Sequence, residues 1–107
     1  MAGPMELETE ESLERVLESN PVRLFIVKFG AVWCEPCTKL QPHMDALAQE
    51  LATNSSNAQV VLVDRTDDND DLFEKYMVTV LPTVILITNN SVRAVLERPR
   101  PDDLKAQ

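Results

Sequence analysis

The stretch that most limits what this chain can become is Phe25-Ile26-Val27-Lys28-Phe29-Gly30-Ala31-Val32-Trp33-Cys34-Glu35-Pro36-Cys37. Leu24 to Phe29 is apolar at every position but Lys28, the pattern of a central parallel strand covered on both faces. Leu40, Met44, Leu47, Ala48 and Leu51 then recur at steps of three and four, which predicts a helix from Cys34 or Glu35 to about Ala52, kinked at Pro42. A buried strand that runs straight into a helix through two cysteines delivers both sulfurs to one edge of a sheet. The positive end of the helix points at the first of them.

The remaining segments supply layers around that corner. Glu6 to Ser19 carries Leu13, Val16 and Leu17 at helical spacing, with Thr9 as a candidate N-cap, Glu10 and Glu11 in the first turn, and Asn20-Pro21 as its end. Thr53 to Asn57 is polar and turn-forming, and Gln59 to Val63 is a second β-branched run suited to a buried strand. A short helix is expected over Asp70 to Tyr76, with its aspartates at the N-terminus. The Asp-rich stretch before it lacks the glycine and closing glutamate of a calcium loop and reads as a solvated turn. Pro82 to Thr88 and Val92 to Glu97 flank Asn89-Asn90, a turn pair that tolerates positive φ, and form a hairpin. Arg98-Pro99-Arg100-Pro101 breaks the pattern, and Asp102 to Gln107 is long enough only for a short or truncated final helix.

The order helix, strand, helix, strand, helix, strand, strand, helical stub specifies an α/β fold. It is a three-layer sandwich with a mixed sheet of about four strands, the first two parallel and the last two an antiparallel hairpin at one edge. At 107 residues there is one core, so residues 1–107 are expected to form one domain. A net charge of −8 argues against a nucleic-acid backbone as partner, which needs clustered cations. No apolar run is long enough to span a bilayer, and the N-terminal residues lack the features of a secretory signal. The expected setting is intracellular and cytoplasmic, or an organelle reached through a targeting peptide since removed.

Only two cysteines occur, so disulfides do not staple the fold. With Cys34 at the N-cap, its sulfur lies near the free N–H groups of the first turn. Pro36 has no N–H, which leaves the Cys37 N–H as the natural donor. A thiolate at Cys34 attacks an exposed disulfide, and Cys37 then resolves the mixed disulfide from within. Two other readings exist. A static bridge closing so short a loop constrains the unfolded chain little. A zinc site needs more ligands than this pair and His43, the one histidine, which reads as a solvated helix residue.

The chain resembles the thioredoxin family. Trp33-Cys34-Glu35-Pro36-Cys37 follows an apolar strand, Pro42 lies five residues beyond the second cysteine, Lys75-Tyr76 closes the third helix, and Leu81-Pro82-Thr83 opens the next strand. The likeness covers about Glu6 to Leu96. It implies a thioredoxin-like fold and a dithiol–disulfide oxidoreductase that reduces protein disulfides and is itself re-reduced by a thioredoxin reductase or a small thiol. No cofactor is expected, and the expected state is a monomer or weak dimer. It implies further that Cys34 is the nucleophile, Cys37 the resolving thiol, and Pro82 a cis proline facing them across a groove. Trp33, Glu35, Pro36, Leu81 and Thr83 are implied to line the substrate surface.

Five positions depart from the family pattern, one of them Asn90, in the hairpin turn where the family has a glycine. Glu35 stands where a glycine is familiar. Its carboxylate either faces the Cys34 sulfur, making the couple more reducing, or sits on the surface at a helix N-terminus. Lys28 replaces a buried aspartate. It either stabilises a thiolate or serves as a desolvated neutral base, or its stem carries the amine to water. Gly30 replaces an aromatic residue or serine. Arg98 stands where the family has a glycine, near enough to the groove to block or select partners. Lys28, Gly30, Arg98 and the short C-terminus support a rival reading, a thioredoxin-like adaptor domain of a larger assembly whose cysteines need not turn over.

Overall fold

In a computed structural model describing residues 4–54 and 57–100, the chain opens with a strand that periodicity does not reveal, β1 (Met5–Leu7). It is followed by α1 (Glu10–Ser19), β2 (Leu24–Gly30), α2 (Glu35–Thr53), β3 (Ala58–Asp64), α3 (Asp70–Lys75), β4 (Thr83–Thr88) and β5 (Ser91–Glu97). The first predicted helix therefore begins four residues late. Thr9 is its N-cap, receiving the Ser12 N–H while the Ser12 side chain receives the Thr9 N–H, so the pair closes a capping box. The predicted final helix, Asp102 to Gln107, lies outside the described residues.

The sheet has five strands rather than about four, in the order β1-β3-β2-β4-β5. β2 is central, parallel to β3 (Val27 opposite Val61) and antiparallel to β4 (Val27 opposite Ile85). β4 and β5 form the expected hairpin, with Asn89 and Asn90 both at positive φ in its turn. β1 exists because the edge of β3 offers it a ladder, pairing Met5 with Val61 and Leu7 with Val63.

Alternation along the buried strands divides the core between the two faces. Phe25, Val27 and Phe29 of β2 pack with Val61, Val63, Ile85 and Ile87 against Leu13 and Leu17 of α1 and Leu72 and Phe73 of α3. Ile26, Val60, Val84 and Leu86 pack on the other face against Leu40, Met44 and Ala48 of α2. α2 continues through Pro42 as one helix. Lys28 shares the α2 face with Ile26 and so lies beneath the first turns of that helix, where the cysteines are. The end of β2 and the start of α2 thus form the corner the sequence foretells.

Candidate active site

Cys34 is the N-cap of α2, in extended conformation, and the Cys37 N–H donates to its Sγ at 3.3 Å. Pro36 occupies the second helical position, where its missing N–H costs nothing. The two sulfurs are at disulfide distance, with Cα atoms 5.3 Å apart. Both side chains are nearly buried and pack with Ala31 and Leu81 in a small apolar cluster of their own. Cys34 is 7% exposed, so the pair presents one sulfur rather than two to a partner.

That sulfur opens onto a groove of about 450 Å³ lined by Trp33, Cys34, Glu35, Pro36, Arg65, Leu81 and Arg98, together with Val78, Thr79 and Val80 of the loop before β4. Trp33 is 72% exposed and forms a broad apolar wall beside the sulfur. The Leu81–Pro82 peptide bond is cis, and Leu81 lies on the groove. Pro82 is buried, with its carbonyl accepting the Arg98 N–H at 2.7 Å. Thr83 departs from expectation: its side chain is 1% exposed, and its hydroxyl donates to the Val80 carbonyl at 2.7 Å, so it anchors the loop from inside instead of lining the surface. The Glu35 carboxylate is held by exposed Lys39 at 3.2 Å, one helical turn on, which agrees with the surface reading.

Lys28 does not reach water. It is 4% exposed, and its Nζ donates to the Cys37 carbonyl at 3.2 Å and to Gln41 Oε1 at 2.6 Å. Desolvation lowers its pKa below the ordinary lysine value, opposed by the carboxylates of Asp64 and Asp45. Gly30 makes the arrangement possible. A Cβ there would sit 3.2 Å from Cys37 Sγ and 3.3 Å from Lys28 Cε, so the absent side chain leaves room for both the lysine stem and the second sulfur. On this side of α2 a cavity of about 440 Å³ is bordered by Lys28, Cys37, Gln41, Asp45 and Asp64.

One member of the framework escaped sequence reasoning. Asn69, buried at the N-cap of α3, accepts the Thr66 N–H at 2.7 Å and donates to the carbonyls of Glu8 at 3.0 Å and Asp64 at 2.9 Å. It joins the end of β3 to the entry of α1. Its only signal in the sequence is an asparagine ahead of a helix.

A Cys-x-x-Cys pair at a helix N-cap, beside an exposed tryptophan and a cis-proline loop on a mixed sheet, defines a class: an α/β thiol–disulfide oxidoreductase. The comparisons with known proteins agree. The thioredoxin family model matches residues 4–107. A thioredoxin of Echinococcus granulosus is 36% identical over 80 residues, covering 74% of this chain and 67% of that protein. Thioredoxin-1 of Caenorhabditis elegans is 32% identical over 96 residues, covering 90% and 79%. The crystal structure of Fasciola hepatica thioredoxin superposes with a TM-score of 0.85 at 30% identity, covering 95% of this chain and 93% of that one. The chain belongs to the thioredoxin family and is a dithiol–disulfide oxidoreductase.

Proposed function

We propose that the substrates are disulfides of other proteins, with Cys34 as nucleophile and Cys37 as resolving thiol. The observation that carries this is the Cys37 N–H directed at Cys34 Sγ on the floor of the Trp33–Leu81 groove. In the reduced protein the same first-turn N–H groups stabilise a Cys34 thiolate. That thiolate attacks one sulfur of the substrate, forming a mixed disulfide and expelling the other sulfur as a thiolate, which takes up a proton. The Cys37 thiol gives up its proton and attacks Cys34 Sγ, closing the intramolecular disulfide and releasing the second substrate thiolate. Two electrons and two protons pass from the protein's dithiol to the substrate.

Lys28 enters at the second step as a positioning residue. Its amine holds the Cys37 carbonyl and places a cation near the sulfur as negative charge develops there. The cycle closes when a reductase or small thiol restores the dithiol in an intracellular, reducing compartment. Two chains of the same fold suggest the partner types. One comes from the structure of a complex of ferredoxin:thioredoxin reductase with thioredoxin f2, and the other from a study of thiol resolution in a yeast mitochondrial 1-Cys peroxiredoxin via glutathione and thioredoxin systems.

Reduction of insulin by dithiothreitol, followed by turbidity, tests the proposal. Wild-type protein is expected to accelerate precipitation and Cys34→Ser to abolish the acceleration. Equal rates with both proteins would remove the catalytic assignment and leave the adaptor reading.

A further inference from the structure

The groove beside Cys34 carries three charged side chains, and two of them are already engaged. Glu35 is paired with Lys39, and Arg65 donates to Asp70 Oδ1 through Nε at 3.0 Å and Nη2 at 2.7 Å. Arg98 has no carboxylate partner among the described residues. It is nevertheless held in place. Its N–H donates to the Pro82 carbonyl at 2.7 Å, its backbone is in the left-handed region at φ 47°, and its Nε donates to the Leu81 carbonyl at 3.3 Å. The guanidinium is thereby anchored through Nε at the Leu81 edge of the groove. No bond within the described structure engages its two terminal nitrogens.

We propose that Arg98 is a specificity-determining residue that favours disulfides flanked by aspartate or glutamate. The inference rests on the reading of this groove as the substrate site. A guanidinium anchored at one nitrogen and open at two offers a carboxylate a planar fork without first having to be ordered. The net charge of −8 disfavours an acidic partner over most of the surface, but at physiological ionic strength that repulsion is screened beyond about 8 Å. Within the groove the charged side chain with no ion-pair partner among the described residues decides, and it is positive. An acidic segment is therefore directed to the place where the sulfur is accessible.

The test uses two disulfide-bonded peptides that differ only in having Asp or Lys beside the half-cystines. Each is turned over by wild-type protein and by Arg98→Lys, Arg98→Gln and Arg98→Glu, with kcat/KM measured at low and high salt. Wild type is expected to prefer the Asp peptide by about tenfold, the scale of one charge-assisted hydrogen bond. Arg98→Lys should keep the direction with a smaller ratio, Arg98→Gln should abolish the preference, and Arg98→Glu should reverse it. Added salt should compress the wild-type ratio toward one. Turnover of both peptides by wild type at equal kcat/KM overturns the proposal while upholding the oxidoreductase site. Turnover of neither overturns the reading on which it rests.

Discussion

At the scale of single residues, the site is governed by a lysine in an apolar layer. Lys28 shares its face of β2 with Ile26 and stands opposite Leu62 of β3 and Val84 of β4, and burial disfavours its charged form. What retains the charge is a pair of acceptors, the Cys37 carbonyl and Gln41 Oε1, with Asp64 and Asp45 acting from farther off. The folded-state pKa lies below the ordinary value, so between those two values the unfolded chain binds more protons than the folded one. Stability should therefore rise with pH across that window, and Lys28→Leu should remove the rise. The same substitution, made in a Cys34→Ser background, should shift the pH profile of Cys37 alkylation upward by about one unit, the lower end of the effect of a nearby opposite charge. An unchanged alkylation profile takes Lys28 out of the mechanism and leaves it a structural role. Gly30 belongs to the same account, since the lysine stem and Cys37 Sγ share the space beside its Cα.

At the scale of elements, the ends of helices carry the local stability. α1 begins with a closed capping box, and α3 ends in a Schellman motif: the Met77 N–H donates to the Glu74 carbonyl at 3.0 Å and the Val78 N–H to the Phe73 carbonyl at 2.9 Å. The motif needs a left-handed residue, and Met77 supplies it at φ 57° with its side chain 82% exposed. The β-carbon strains the backbone there and the side chain packs on little. Met77→Gly is therefore expected to stabilise the protein by about 1 kcal/mol, read as a higher denaturant midpoint at unchanged m-value. A lowered midpoint would mean that the methionine makes contacts worth more than the strain. Lys75, the last residue of α3, donates to both Glu14 and Glu10 and so ties this helix to α1. The two carboxylates raise its pKa, Glu14 most strongly.

At the scale of the whole molecule, Asn69 connects parts of the chain that no local pattern joins. Three hydrogen bonds from one buried amide reach the backbone at Glu8, Asp64 and Thr66, the first across 61 residues of sequence. Asn69→Ala removes the partner of two carbonyls and an N–H around a buried side chain and is expected to cost about 1–3 kcal/mol in chemical denaturation. A loss below about 0.5 kcal/mol would show that solvent replaces the amide.

Most elements were legible because each is written in contiguous residues. The apolar run of β2, the three-and-four spacing of α2, Thr9 as a cap, Asn89-Asn90 as a turn and Cys34 at a helix start all depend on neighbours within a few positions. β1 was not legible, since three residues show no period and pair only because β3 presents an edge. The inward turn of Thr83, the burial of Lys28 beneath α2, and the guanidinium of Arg98 on Leu81 were equally hidden.

By itself the amino-acid sequence determined that a buried strand ends at two thiols on a helix N-terminus, and with that the exchange chemistry of Cys34 and Cys37. Only the tertiary structure decided what surrounds those sulfurs: a desolvated cation behind Cys37 and an anchored one at the groove before Cys34. The reason is physical. Periodicity and capping are set by bonds between near neighbours, whereas burial and charge depend on whichever distant segments the fold brings alongside.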